Sequence, residues 1–165
     1  MERNLILVRH GKACQLDAFE KDIDRTLTNR GVNDGYLVAG DLINKGYKPG
    51  LILSSPATRA LHTALIFERL MGTGTEKISI IENLYHGMGS NIMKEVINQP
   101  DEISSIAVFS HNPGITDLAE HLTKGATSFL PTTGVAIIKY HTDSWSDISS
   151  SDPDDYFFIK PKELK

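Results

Sequence analysis

The chain has 165 residues, of which 40% are hydrophobic and 23% charged. That is enough for one globular domain with a substantial core, over residues 1–165, and gives no reason to expect a second domain. The formal net charge of -4 disfavours a nucleic acid or an anionic membrane as partner, so any anionic ligand has to be attracted by a local group of cations.

Short apolar runs alternate with helix-period patterns over most of the chain. Runs without polar alternation are typical of strands that are buried on both faces of an α/β sheet. The predicted strands cover residues 5–8, 51–53, 78–81, 105–109, 134–140 and 156–159. The predicted helices lie between Thr28 and Gly46, over residues 57–71, over residues 91–98 and around residues 115–122.

Local signals predict the ends and faces of these elements. Thr28 is expected to cap the first helix, and Pro56 is expected in the first turn of the second. Leu65 and Leu70 are assigned to the apolar face of that second helix. Residues 15–26 are rich in charge, which predicts a loop able to cover a site. The segment rich in Ser and Asp between the last two strands is expected to be a solvated connection.

Strands that alternate with helices predict a three-layer α/β/α sandwich around a mostly parallel sheet of about six strands. No strong helical pattern separates the last two strands, so one antiparallel strand is expected at an edge of the sheet.

Three of the predicted strand ends carry polar side chains. Arg9 and His10 follow the first strand, residues 54–56 lead from the second strand to Arg59, and His111 follows the fourth. The carboxyl ends of parallel strands meet at one edge of a sheet, so these four side chains are expected to converge on one pocket. Two guanidinium groups and a helix N-terminus suit a tetrahedral dianion. A neutral histidine beside arginines keeps a ring lone pair, so His10 is expected to attack phosphorus.

Four motifs in order at compatible spacing resemble the histidine phosphatase superfamily, most closely the short SixA-type phosphohistidine phosphatases. The motifs are LVRHGKA at residues 7–13, DIDRTLTNRG at residues 22–31, SSPATRA at residues 54–60 and SHNPG at residues 110–114, followed by LPTTGV at residues 130–135. An Arg-His-Gly alone is weak evidence, whereas the ordered set is specific and covers residues 5 to 138.

The resemblance implies a phosphoglycerate mutase-like fold and a phosphatase that needs neither metal nor cofactor. His10 would be the nucleophile that becomes phosphorylated, and Arg9 and Arg59 would hold the phosphoryl oxygens. His111 would donate a hydrogen bond to the same group as charge develops. Arg25 matches a family arginine near the pocket mouth. The residues expected to contact substrate are Gly11, Lys12, Arg25, His86 and Asn112.

The chain departs from the larger relatives in one respect. Mutase-like members carry a glutamate general acid shortly after the third strand, whereas the corresponding position here falls near His86, and nearby Glu82 is expected to serve only solubility. A missing acid matters most for alcohol leaving groups and least for phosphohistidine, whose imidazole has a reference pKa of roughly 6.5. Phosphohistidine on a partner protein, such as a signalling protein, is therefore the expected substrate.

Other functions stay open at this point. A phosphatase for small phosphate esters is the enzymatic alternative, and a non-catalytic phosphate-binding module is the other, although simple binding would not need both His10 and His111. A zinc site is disfavoured because the histidines lack close ligand spacing and the neighbouring arginines repel cations. His62, one helical turn from Arg59, is expected on the helix surface. Gly11 and Lys12 are not part of a nucleotide-binding P-loop, because its upstream glycine is missing.

The cysteine content and the first apolar run indicate the compartment. Cys14 is the single cysteine, which excludes an internal disulfide and is compatible with a reducing environment. The run at residues 5–8 is too short for a signal sequence or a membrane span. We therefore expect a cytoplasmic protein.

Overall fold

One sheet of six strands runs through the computed structural model, which describes residues 1–18 and 20–165. The strands are β1 (Glu2–Arg9), β2 (Leu51–Ser54), β3 (Ile78–Ile80), β4 (Ser105–Ser110), β5 (Val135–His141) and β6 (Asp155–Ile159). Their spatial order is β3-β2-β4-β1-β5-β6. The first four strands in chain order pair in parallel, and β5 pairs antiparallel with both β1 and β6. All six predicted strands are confirmed.

Helices cover both faces of this sheet. Within the described residues the α-helices are α1 (Asn29–Asn44), α2 (Thr58–Met71), α3 (Gly89–Ile97) and α4 (Gly114–Leu122). Side chains of α1 and α2 join one buried apolar cluster, and side chains of α3 and α4 join the other. The predicted three-layer sandwich is therefore confirmed. None of the described helices is long and apolar enough to span a membrane.

The central position of β1 in the sheet explains why its sequence shows no polar alternation. Leu5 and Leu7 point into the cluster below α3 and α4, whereas Ile6 and Val8 point into the cluster below α1 and α2. All four side chains are at most 1% exposed. Burying each one contributes about 1.5–3 kcal/mol, so β1 is held firmly and the residues that follow it are well positioned.

Several local predictions need correction. The antiparallel strand is β5, but β6 lies outside it, so β6 and not β5 forms the edge of the sheet. Pro56 precedes the N-cap of α2, which is Ala57. Leu65 and Leu70 are 38% and 41% exposed, because the inner stripe of α2 follows the positions of Ala60, Ala64, Phe67 and Met71.

The segment between β5 and β6 is more ordered than predicted. It contains a short 3-10 helix, Trp145–Ser149, in which Trp145 and Ile148 are buried. The Trp145 indole donates to the carbonyl oxygen of Ile103 at 2.7 Å. The buried Arg3 guanidinium lies 5.1 Å from the Trp145 ring and donates to the same carbonyl oxygen. Because Trp145 fills the apolar cluster, this connection belongs to the core.

Candidate active site

The carboxyl ends of the parallel strands open into a polar cavity of about 270 Å³. It gathers all four side chains that were expected to converge, Arg9, His10, Arg59 and His111. Four of the five residues expected to contact substrate also line it, namely Lys12, Arg25, His86 and Asn112. The other lining residues are Ala13, Asp22 and Thr132. His62 is half-buried and lies outside this set.

His10 is buried at the end of β1 with one ring nitrogen fixed. Its Nδ1 lies 2.8 Å from the carbonyl oxygen of Gly11. A carbonyl only accepts hydrogen bonds, so the ring proton sits on Nδ1 and Nε2 keeps its lone pair. Nε2 in turn lies 3.4 Å from Arg59 Nε, which donates to it.

The surroundings of His10 keep its imidazole neutral. Burial lowers its pKa to about 4, and the positive charges of Arg59, Arg9 and Arg25 act in the same direction. The sequence pointed to the arginines as the cause, but burial is the larger one. At neutral pH the side chain is therefore an unprotonated nucleophile.

Gly11 contacts the His10 ring and does not line the cavity. Its N–H donates to Thr63 Oγ1 at 2.9 Å, and the Thr63 hydroxyl donates to the Arg59 carbonyl oxygen at 2.7 Å. Through its carbonyl oxygen Gly11 orients the His10 ring. The structure therefore gives Gly11 a positioning contact in place of the expected substrate contact.

His111 faces His10, with ring centroids 5.0 Å apart. Its Nε2 lies 2.7 Å from Ser55 Oγ, and Ser55 Oγ accepts from the Ala57 N–H at 3.1 Å. The other ring nitrogen, Nδ1, is buried and has no hydrogen-bond partner among the described residues. Burial lowers the pKa of His111 to about 3, so a neutral ring lines the cavity.

Arg9 and Asn112 are held together by a shared backbone acceptor. Arg9 Nη1 and Asn112 Nδ2 each donate to the Leu130 carbonyl oxygen, both at 3.1 Å. The Arg9 guanidinium also lies 5.5 Å from the ring centre of Phe129. Its Nε is buried without a partner within the described part of the chain. Arg9 is thus oriented while a donor stays unused.

Asp22 is the main site residue that sequence reasoning missed as a functional group. Its carboxylate accepts from Tyr85 at 2.6 Å, from Arg59 Nη2 at 3.1 Å and from Arg25 Nη1 at 3.2 Å. Its backbone carbonyl oxygen accepts from Arg59 Nη1 at 2.8 Å. The Tyr85 hydrogen bond first, and the two guanidinium groups with it, hold the pKa of Asp22 well below its usual range. Asp22 is therefore ionised and orients both arginines.

One local signal pointed to part of this cluster. Asp22 begins a short 3-10 helix, Asp22–Asp24, and Arg25 is its C-cap. Residues three apart in a 3-10 helix lie on the same side, which brings the Asp22 and Arg25 side chains together. Nothing in the sequence signals Tyr85, which reaches Asp22 from 63 positions away.

The predicted covering loop at residues 15–26 is closed at its base and contributes to the cavity. Ala13 and Leu27 pair as an isolated bridge, and the Cys14 N–H donates to the Thr26 carbonyl oxygen at 2.8 Å. Its 3-10 turn brings Asp22 over the strand ends. Phe19 of this loop lies outside the described residues.

The start of α1 is pressed against the loop that follows His10. Thr28 caps α1 as predicted, accepting from the Gly31 N–H at 3.0 Å, and its own hydroxyl donates to the Lys12 carbonyl oxygen. A Cβ atom at Gly31 would overlap that carbonyl oxygen. The glycine in the second motif therefore allows α1 to support the residues beside the nucleophile.

His86 and Lys12 lie at the exposed rim of the cavity. The His86 backbone has a φ of 59°, in the left-handed region that a non-glycine residue rarely adopts. Its ring lies 4.0 Å from the Tyr85 ring, centre to centre. This backbone conformation places the His86 imidazole beside Tyr85 at the rim of the cavity.

The arrangement suits a phosphoryl group. Four cationic side chains, Arg9, Lys12, Arg25 and Arg59, surround a single carboxylate, Asp22, so the local charge favours a dianion although the whole chain is acidic. Within residues 1–18 and 20–165, no group of three or more His, Cys, Asp or Glu side chains is placed to hold a metal ion.

Comparison with known proteins identifies the family. A family model described as the histidine phosphatase superfamily, branch 1, matches residues 5–87. An uncharacterised chloroplastic protein of Arabidopsis thaliana is 31% identical over 156 residues, covering 89% of this chain and 71% of that protein.

Solved structures share the fold. SixA from Agrobacterium tumefaciens is 27% identical, with a TM-score of 0.74 over 82% of this chain and 91% of that one. The protein histidine phosphatase SixA in complex with tungstate is 22% identical, with a TM-score of 0.83 over 98% of this chain and 99% of that one.

Proposed function

This chain belongs to the histidine phosphatase superfamily, and we propose that it hydrolyses phosphohistidine on a partner protein through a phosphorylated His10. Membership of the superfamily supports a phosphatase activity. The substrate and the residue roles rest on the geometry of the cavity and on its one carboxylate.

The first step transfers the phosphoryl group to the enzyme. His10 Nε2 attacks phosphorus in a phosphohistidine whose other ring nitrogen carries a proton, the nitrogen–phosphorus bond of the substrate breaks, and its electron pair returns to the released nitrogen, so the histidine departs as a neutral imidazole. Arg9 and Arg59 bind the equatorial oxygens, and His111 donates a hydrogen bond to the same group from the ring nitrogen that carries its proton. The fixed proton on His10 Nδ1 keeps Nε2 directed at phosphorus.

The second step releases inorganic phosphate. Water attacks phosphorus, the bond to His10 Nε2 breaks, and its electron pair restores the neutral imidazole. The low pKa of His10 makes it a good leaving group in this step. The proton lost by water goes to the released phosphate or to solvent, so no metal is required.

The ionised state of the Asp22 carboxylate is the observation that favours phosphohistidine as the substrate. Asp22 is the one carboxylate among the described residues that line the cavity, and Tyr85, Arg59 and Arg25 keep it ionised. An ionised carboxylate bonded to two arginines cannot protonate a leaving alkoxide. A phosphohistidine ring that is protonated on its other nitrogen needs no such acid, because it departs as neutral imidazole, whose conjugate acid has a pKa of roughly 6.5.

The proposed activity is tested by assaying a protein carrying phosphohistidine beside a sugar phosphate and an aryl phosphate. We expect kcat/KM for phosphohistidine to exceed that for the sugar phosphate by at least about a hundredfold, because an alkoxide needs a proton from a group in the cavity, whereas the phosphohistidine ring carries its own. His10→Ala should abolish all turnover and the acid-labile label that the wild-type enzyme acquires. Normal turnover by His10→Ala would refute the covalent mechanism, and a preference for the sugar phosphate would refute the substrate.

Small phosphate esters are the second candidate substrates, and His86 is the observation that favours them. Its imidazole lines the cavity and, when protonated, is able to donate a proton to an alkoxide. In that case His86→Ala lowers turnover of the sugar phosphate selectively. A cytoplasmic location and a signalling protein as partner stay predictions.

A further inference from the structure

A second and larger cavity lies beside the active site, between α3 and α4. Its volume is about 530 Å³, compared with about 270 Å³ for the active-site cavity. Met88, Met93, Ile97 and Leu118 provide apolar walls. Lys94 and Asp117 carry opposite charges at its rim, so no single sign of charge dominates. We call this cavity the α3–α4 groove.

Met88 connects this groove to the active site. It lines the groove two residues after His86, which lines the active-site cavity. The intervening Gly87 is packed tightly, since a Cβ atom at Gly114 would overlap the Gly87 carbonyl oxygen. The two cavities therefore share residues of one short stretch of the chain, from His86 to Met88. The Met88 side chain is 69% exposed, although it is large and apolar.

A second exposed apolar side chain lies near the active site. Phe129 is 56% exposed, and its ring centre lies 5.5 Å from the Arg9 guanidinium. Met88 and Phe129 are therefore two exposed apolar side chains close to residues of the phosphoryl site. Large apolar groups that are exposed together around a site are typical of an interaction surface.

The volume of the active-site cavity limits which part of a protein substrate can enter it. A cavity of about 270 Å³ can hold a phosphorylated side chain but not the protein that carries it. The rest of a protein substrate must lie on the surface around the mouth, where a specific interface buries about 800 Å² on each partner. The α3–α4 groove is the concave, apolar part of that surface.

We infer that the α3–α4 groove, which begins at Met88, docks the substrate protein by binding an apolar segment next to its phosphorylated side chain. This inference rests on the proposed phosphohistidine phosphatase activity. The occupant is a folded protein with exposed apolar residues beside its phosphohistidine. A small phosphate ester would leave the groove empty.

Two substitutions change the groove and leave the active-site residues in place. Met88→Ser removes the exposed apolar side chain at the N-cap of α3, where serine is a favourable residue. Ser90→Glu places a negative charge in the groove within the first turn of α3, where the helix dipole tolerates it. Leu70→Ser is the matched control, because Leu70 is 41% exposed at the opposite end of α2 from Arg59.

Each variant is assayed on two substrates, free phosphohistidine and a histidine phosphotransfer domain phosphorylated with phosphoramidate. Met88→Ser and Ser90→Glu should lower kcat/KM for the phosphorylated domain by about tenfold, as expected for a central apolar contact. Both should hydrolyse free phosphohistidine at the wild-type rate. Leu70→Ser should match the wild type on both substrates.

Three other results would each contradict one of the two proposals, and the assays distinguish them. If the wild type hydrolyses neither substrate, the proposed function fails. If it hydrolyses both and the groove variants do not change turnover of the domain, the docking inference fails while the function stands. A wild-type dimer that Met88→Ser converts to a monomer in gel filtration would overturn the inference too, because the groove would then hold a second copy of the chain.

Discussion

The Asp22 carboxylate lies 3.1 Å from Nη2 of Arg59, so the arginine proposed to hold the phosphoryl group is itself held by an anion on the facing loop. Two opposing effects follow. The carboxylate orients the guanidinium group, and its negative charge opposes the binding of a dianion. Each terminal nitrogen of Arg59 keeps a second N–H beyond its bond to Asp22, which leaves donors for a phosphoryl group.

Asp22→Ala should therefore separate binding from turnover. We expect kcat to fall by about tenfold or more, because Arg59 and Arg25 lose their common anchor. The inhibition constant of inorganic phosphate should fall at the same time, because a negative charge is removed from the cavity. Asp24→Ala is the control, since Asp24 is exposed in the same 3-10 turn. Weaker phosphate binding by Asp22→Ala would contradict this account.

Ser55→Ala tests how His111 is oriented. Without the hydroxyl 2.7 Å from Nε2, the ring loses the contact that fixes its orientation and is free to turn. We expect kcat to fall by about tenfold with little change in KM, since the lost donor acts mainly in the transition state. Ser54→Ala, which removes an equally buried neighbouring hydroxyl, should have a smaller effect. Equal losses of kcat in the two variants would argue against an orienting role for Ser55.

The two buried histidines make the free energy of unfolding depend on pH. His10 has a pKa of about 4 in the folded protein and His111 one of about 3, whereas unfolded histidine has a pKa of roughly 6.5. The unfolded chain therefore binds more protons below pH 6.5. Their contribution to stability is complete above that pH and is lost as the pH falls toward the folded values.

Urea unfolding at pH 7 and pH 5 measures this effect. The linkage relation predicts a loss of about 2 kcal/mol from His10 alone between these values. His10→Gln should remove that share of the pH dependence, and the same substitution at exposed His141 should leave the wild-type dependence intact. An unchanged slope in His10→Gln would show that His10 is not the group that titrates.

Two glycines of α1 should respond to alanine in opposite ways. Gly31→Ala forces a methyl group against the Lys12 carbonyl oxygen, so both thermal stability and kcat/KM should fall as the loop after His10 is displaced. At Gly40 no described neighbouring atom lies within 4 Å of the position that a Cβ atom would take, so Gly40→Ala should raise stability by up to about 1 kcal/mol at unchanged activity. Full activity in Gly31→Ala would show that the loop adapts without cost.

Much of the fold could be predicted because its signals are local. The apolar run of β1 predicts a strand buried on both faces, and Thr28 predicts the start of α1. Leu65 and Leu70 were wrongly assigned to the buried face of α2, because the apolar residues of this helix are compatible with more than one buried face. The burial of Trp145 was not predicted, because its neighbours in the chain are polar and the residues it packs against are distant in the sequence.

The motifs of the sequence are enough to indicate which chemistry the chain carries. Arg9, His10, Arg59 and His111 follow or adjoin predicted strand ends, and the rule that parallel strands end at one edge brings them together without knowledge of the fold. The pKa values and orientations of those groups depend on contacts that form when the chain folds. Burial sets the pKa of His10, and Asp22 meets Arg59 and Tyr85 from 37 and 63 positions away. Such contacts have no local pattern in the sequence, because the packing of separate elements creates them.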